Sequence, residues 1–245
     1  GFSSARLTSP PKALAFSNNT AQLGNFSAGH CIKDYFSEAP ASVTAGSEVF
    51  PSSLTPADDA LKYGSGAGST TTLRSGNLNN GVRTSLYIDG DLIIDGTGIG
   101  YASASWTDTK QIPSLHVYVS GNIWIQSTVT NLNGMFVAQP RSGVADSGRI
   151  ITCASGSARV SRTDLFNVCG NRLVVNGGLV ADRVDFLRAG SSMRKATTTS
   201  EGSASLSEGA EVINLSPEFI MVAPDHVKNI IKKDYQFFTT LPPVL

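Results

Sequence analysis

Val117-Tyr118-Val119-Ser120-Gly121-Asn122-Ile123-Trp124-Ile125 reads apolar, any, apolar, small polar, Gly, polar, apolar, any, apolar. Leu86-Tyr87-Ile88-Asp89-Gly90-Asp91-Leu92-Ile93-Ile94 repeats it, and Leu173-Val174-Val175-Asn176-Gly177-Gly178-Leu179-Val180-Ala181 repeats it again. Leu132-Asn133-Gly134-Met135-Phe136-Val137 is a shorter fourth copy. Strict alternation marks half-buried strands. If the central Gly keeps the phase of the pleat, Leu86, Ile88, Leu92 and Ile94 share one face, as do Val117, Val119, Ile123 and Ile125.

The central pair has two readings. Asp89-Gly90 or Ser120-Gly121 could form a type I′ turn that returns the chain antiparallel as a hairpin. It could instead be a corner between consecutive strands of one coil, where Gly takes a backbone conformation that side chains resist. The glycines recur at 90, 121 and 177, with a further copy at 134. Units returning at such intervals suggest stacked coils with insertions of varying length. The expected fold is therefore all-β, an irregular right-handed β-solenoid, with a β-sandwich of hairpins as the alternative.

Three regions follow from the patterning. Residues 1–84 are loop-rich, with a short helix expected around Pro56–Lys62 behind the capping Thr55, and a linker at Gly64–Ser69. Residues 85–190 hold the solenoid copies. Residues 191–245 comprise a polar loop to about 211, strands around Val212–Leu215 and Phe219–Ala223, a short helix through Val227–Lys233, and an apolar end. That end, with Phe237, Phe238, Leu241, Val244 and Leu245, is too apolar to be a solvated tail and is expected to dock on its own domain or on a neighbouring subunit.

Composition narrows the partners. Only 16% of the 245 residues are charged, and Lys plus Arg balances Asp plus Glu at 19 each. No net field would draw the chain to nucleic acid or an anionic membrane, and no net charge opposes self-association. No apolar run reaches the roughly 18 residues that span a bilayer. The opening Gly1-Phe2-Ser3-Ser4-Ala5-Arg6 lacks an apolar leader core, as expected of a chain from which a signal or anchor has been removed.

Cys153 and Cys169 flank a polar segment in strand-like sequence and are the disulfide candidates; two buried thiols are the alternative. Cys31 is left over. With no Cys-x-x-Cys and with His30, His116 and His226 far apart in sequence, a zinc site is not expected.

The nine-residue copies resemble the coils of polymer-forming β-helical proteins of the bactofilin type. They also resemble secreted bacterial β-helix surface proteins in which apolar-x-apolar-x-Gly-Asn-apolar recurs. The resemblance covers about residues 85–190 and departs from bactofilins in its longer insertions, its cysteines and its terminal regions. It implies a structural role in a surface layer, filament or appendage, and it carries no catalytic residue.

Residues able to do chemistry are few. Asp89, Asp91 and Asp95 share one parity and could converge on calcium, but Ser120, Asn122 and Gln126 at the matching positions suggest a polar outer ladder. Asp182, Arg183, Asp185 and Arg188 are the nearest approach to the acid and base of a polysaccharide-degrading β-helix enzyme. Their alternation with Val184 and Phe186 is also what an exposed strand shows. No Gly-x-Ser-x-Gly frames a serine, and Gly96-Thr97-Gly98-Ile99-Gly100 lacks the Lys-Ser/Thr of a phosphate loop.

Tyr87, Tyr118 and Trp124 fall opposite the aliphatic face; they are a candidate ligand or contact face for sugars or a partner, with cover by another segment of the same chain as the plainer reading. The expectation is thus a secreted or cell-surface structural protein, without enzymatic activity or cofactor, that associates with itself or with other surface proteins. A glycan-binding adhesive domain and a polysaccharide-degrading enzyme are the alternatives.

Overall fold

The structure is a computed structural model that describes residues 35–103, 105–189, 209–216, 218 and 222. All of these belong to the larger of the chain's two units, Asp34–Leu245. The fold is all-β. Thirteen strands are present among the described residues: β1 (Glu48–Val49), β2 (Ala60–Tyr63), β3 (Thr70–Leu78), β4 (Arg83–Ile88), β5 (Asp91–Tyr101), β6 (Ser114–Val119), β7 (Ile123–Gln126), β8 (Asn131–Ala138), β9 (Arg149–Ser155), β10 (Ala158–Arg159), β11 (Leu173–Ala181), β12 (Arg183–Asp185) and β13 (Glu211–Asn214). They form one mixed sheet in which only β9 and β10 pair antiparallel.

The parallel pairings fall into three rows. The first joins β2, β4, β6 and the C-terminal halves of β8 and β11. The second joins β1, the N-terminal parts of β3 and β5, then β7, β9 and β12. The third joins the ends of β3 and β5 to the starts of β8 and β11 and finally to β13. From β2 onward the chain visits the rows in rotation. Each return adds one strand to each row.

The nine-residue copies sort by corner. Leu86 pairs in register with Val117, Ile88 with Val119, Leu92 with Ile123 and Ile94 with Ile125, so the first two copies lie one above the other at the passage from first to second row. The third and fourth copies stack at a different passage, from third row to first, with Gly134 beside Gly177. The hairpin reading of Asp89-Gly90 and Ser120-Gly121 is therefore corrected: the strands either side of each glycine pair with the next copy and not with each other.

Alternation accounts for the core. Leu86, Ile88, Leu92 and Ile94 meet Val117, Val119, Ile123 and Ile125 in one cluster that also takes Leu73, Leu78, Ile99, Leu132, Phe136, Ile150, Leu173 and Val175. The phase of the pleat survives the corner because the corner is tight. At Gly90 (φ +146°) an added Cβ would lie 2.3 Å from the Ser69 carbonyl oxygen, and at Gly121 it would lie 2.5 Å from that of Gly90. No side chain fits between successive turns of chain at these points.

Two local expectations fail upstream of residue 85. Pro56–Lys62 is not a helix: Thr55 and Asp58 close a turn through the Thr55 amide to the Asp58 carboxylate at 2.8 Å, and Ala60–Tyr63 runs straight into β2 beside β4. Pairing outweighs helix propensity, since Leu61 then faces the core alongside Leu86. Gly64–Ser69 is not a linker either. Ser69 Oγ donates to the Asp89 carbonyl at 2.5 Å and to that of Gly66 at 2.8 Å, which fixes the segment as a corner leading into β3. The polar loop at 190–208, the helix at Val227–Lys233 and the apolar end lie outside the described residues, as does most of Phe219–Ala223, while β13 appears where Val212–Leu215 was expected.

Candidate functional site

The outer side of the first row carries a second, aromatic cluster. Tyr87 and Tyr118 are neighbours in register on β4 and β6, and their rings stack at 5.1 Å between centroids. Tyr35 stacks on Tyr118 at 4.8 Å, and Phe36 meets Tyr87 edge-on at 5.8 Å. The Tyr35 amide donates to Gln139 Oε1 at 3.1 Å, which pins the covering segment across the row. Tyr87 and Tyr118 are consequently buried and do not form an open face. Burial, with Glu38 and Asp59 adding to it, raises the Tyr87 phenol far above its ordinary range; burial first, then Tyr87 and Tyr35, does the same to Tyr118.

His116 lies in this cluster with Nδ1 3.3 Å from the Tyr118 hydroxyl, and burial pulls its pKa down to about 4. Trp124 is not part of it: it stands on β7 in the second row, with Nε1 donating to Asp91 Oδ2 at 3.3 Å. The one sequence signal for this particular cover is the Tyr35-Phe36 aromatic pair at the end of an apolar piece far upstream.

The carboxylates work along the rows. Asp89 Oδ1 accepts from Ser120 Oγ at 3.0 Å and pairs with Arg141. Asp91 Oδ1 accepts from the Asn122 amide at 2.9 Å. Asp95 accepts from the Gly96 amide at 2.8 Å and pairs with Arg74. Each carboxylate thus has its own donors, at least one of them from elsewhere in the chain, and the three do not share a partner. Among the described residues no group of three or more His, Cys, Asp or Glu could hold a metal ion.

Of the acid–base candidates, Asp185 is held by Arg183 Nε at 2.7 Å, with Arg159 3.8 Å away on its other oxygen. The Asp182 amide donates to the Gly148 carbonyl at 3.0 Å. Arg188 is buried and spends its guanidinium on main-chain carbonyls, those of Thr152 (2.7 Å), Ser127 (2.7 Å) and Gln126 (2.8 Å). Burial pulls its pKa down to about 10 against the opposing effect of Glu211. Glu211 Oε1 in turn accepts the amides of Leu187 (3.1 Å) and Arg188 (2.9 Å) and the Thr152 hydroxyl. These groups tie β7, β9, β12 and β13 together.

Cys153 and Cys169 form a disulfide with Cα atoms 5.9 Å apart. It anchors the 156–172 excursion over the outer side of the second row, where Ile151, Ala154, Val160 and Leu187 make a small core with the sulfurs. Cys31 lies outside the described residues, as do Phe237, Phe238, Leu241, Val244 and Leu245. An open cleft of about 310 Å³ is lined by Pro56, Asp59, Gly81, Arg83 and Lys110. The Arg83 side chain is already committed there to the carbonyls of Ile112 and Thr109.

The last strands carry one further feature. The inward positions of the last strands, Leu179, Ala181 and Val184, are only partly covered, and Ile213, in register with the buried Val175, is 45% exposed. An asparagine ladder reaches the same edge: Asn176 Nδ2 donates to Asn133 Oδ1 at 2.8 Å, and Asn214 Nδ2 to Asn176 Oδ1 at 3.0 Å. The matched Asn spacing was the only signal for it.

No helix among the described residues is long and apolar enough to cross a membrane. No known protein family, curated protein or solved structure was found to match this chain.

Proposed function

We propose that this chain is a non-enzymatic structural protein of a cell surface or secreted layer. In this reading its rows are the faces of an irregular β-solenoid, and it associates with further copies or with other surface proteins. The right hand of the coil follows from the handedness of parallel crossovers. The observation that carries the reading is the fate of the polar groups. Asp89, Asp91 and Arg188 are bonded between turns of chain, Asp185 is held by Arg183 and Arg159, and among the described residues the third row ends on an exposed strand, β13.

Support for an extracellular setting comes from the disulfide, since such bonds persist in oxidising compartments. The likeness of the nine-residue copies to bactofilin-type and secreted β-helix coils points the same way. The glycan-binding alternative is weakened by the cover over Tyr87 and Tyr118.

The test is mass across a concentration series, by light scattering with negative-stain microscopy. Defined oligomers growing in with concentration support the proposal. A strict monomer at the highest concentration reached would count against it.

A further inference from the structure

The two ends of the rows are finished differently. At the first end Val49 and Leu54 are buried, and Pro51 closes over the edge of β3, its Cδ 3.4 Å from where a Gly76 Cβ would sit. Asn79 Nδ2 donates to the Ser52 carbonyl at 3.2 Å and the Thr44 amide to the Lys62 carbonyl at 2.6 Å, so residues 44–54 lie across the outermost strands. At the last end nothing comparable covers β13 among the described residues. Ile213 and Leu215 are 45% and 75% exposed, and the inward side chains beneath are half covered.

Solvent-facing sheet edges are ordinarily protected by Lys, Pro, a bulge or a covering segment. From Ala210 to Ser216 the chain reads Ala-Glu-Val-Ile-Asn-Leu-Ser, with no Lys, Arg or Pro. Its one charge, Glu211, is already turned inward onto Thr152 and two amides.

We infer that the β13 edge binds the same edge of a second copy, tail to tail about a two-fold axis, giving a closed dimer. This rests on the self-association proposed above and specifies its surface. An antiparallel register about that axis pairs residues of the same face and centres on Ile213, which lies opposite its own counterpart, with Val212 opposite Asn214 and Glu211 opposite Leu215. No like charges face each other, which is what β-pairing requires. Ile213 and Leu215 lose their exposure in the contact. An isologous contact uses the one β13 edge of each copy and so stops at two copies.

The experiment compares the full chain with Ile213→Lys and with Val43→Lys, which alters an exposed residue beside the closed end, by sedimentation over a concentration series. Far-UV circular dichroism and the Cys153–Cys169 bond are checked in each. The expected result is a monomer–dimer equilibrium with no larger species, weakened at least about tenfold by Ile213→Lys and unchanged by Val43→Lys. Short bis-maleimide crosslinking in a Cys31→Ser background keeps the inference testable if Ile213→Lys misfolds: Ile213→Cys, which faces its own counterpart, should yield covalent dimer and Val43→Cys should not. Association that persists in Ile213→Lys, that grows into open polymers, or that crosslinks through Val43→Cys overturns the two-fold contact while leaving self-association standing. A chain that stays monomeric overturns both.

Discussion

Gly90 sits where two turns of chain touch, and an added Cβ would meet the Ser69 carbonyl, which cannot swing aside, as well as the Ser69 hydroxyl. Gly90→Ala is expected to cost at least about 2 kcal/mol, read as a lower denaturant midpoint with an unchanged slope. His116 offers a second single-residue test. Its folded pKa of about 4 lies below its unfolded value near 6.5, so the unfolded state binds the extra proton. The stability tied to its neutral form is complete above about pH 6.5 and is lost as pH falls through 4, about 3 kcal/mol in all. Urea midpoints from pH 7 to 4 should fall in the parent chain and fall less in His116→Gln. Inward residues such as Leu86, Val117 and Ile123 were legible because period-two alternation needs only local sequence. Cover of Tyr87 and Tyr118 from within the chain was also an expectation, but the segment that supplies it was not legible. Their side was readable, but Tyr35 and Phe36, which cover them, come from far upstream in a segment without strand pattern.

Elements show where local preference yields to pairing. Pro56–Lys62 carries a helix start signal, yet Ala60–Tyr63 has a ready strand edge in β4, and burying Leu61 and Tyr63 against the core decides the outcome. Gly64–Ser69 has a linker's composition because a tight corner also selects Gly and Ser. The 156–172 excursion is an element held by chemistry instead of by rows. Cys153→Ser with Cys169→Ser should lower stability by about 3 kcal/mol. Limited proteolysis should then cut within 156–172 before any strand of the rows, and equal resistance with and without the bond would contradict the anchoring role. Arg188→Met leaves the carbonyls of Gln126, Ser127 and Thr152 without their donors and is expected to cost about 3 kcal/mol, measured by chemical denaturation.

For the whole molecule, the sequence disclosed the recurring unit but not its period. Returns along the rows range from 19 residues, His116 to Met135, up to 43, Asn131 to Val174, because insertions of different length leave the rows between paired strands. Four visible copies also belong to two different corners, so their spacing could not be read as one repeat. Stacked coils imply strand edges at their ends, but which end is covered was not readable: covering an end depends on which segment crosses it, not on alternation. Everything proposed for function rests on the parallel stacking of successive copies. Backbone nuclear Overhauser contacts in the deuterated chain test it most directly. The predicted result is parallel-strand contacts between 86–88 and 117–119 and between 92–94 and 123–125; an antiparallel set joining 86–88 to 92–94 would contradict the account.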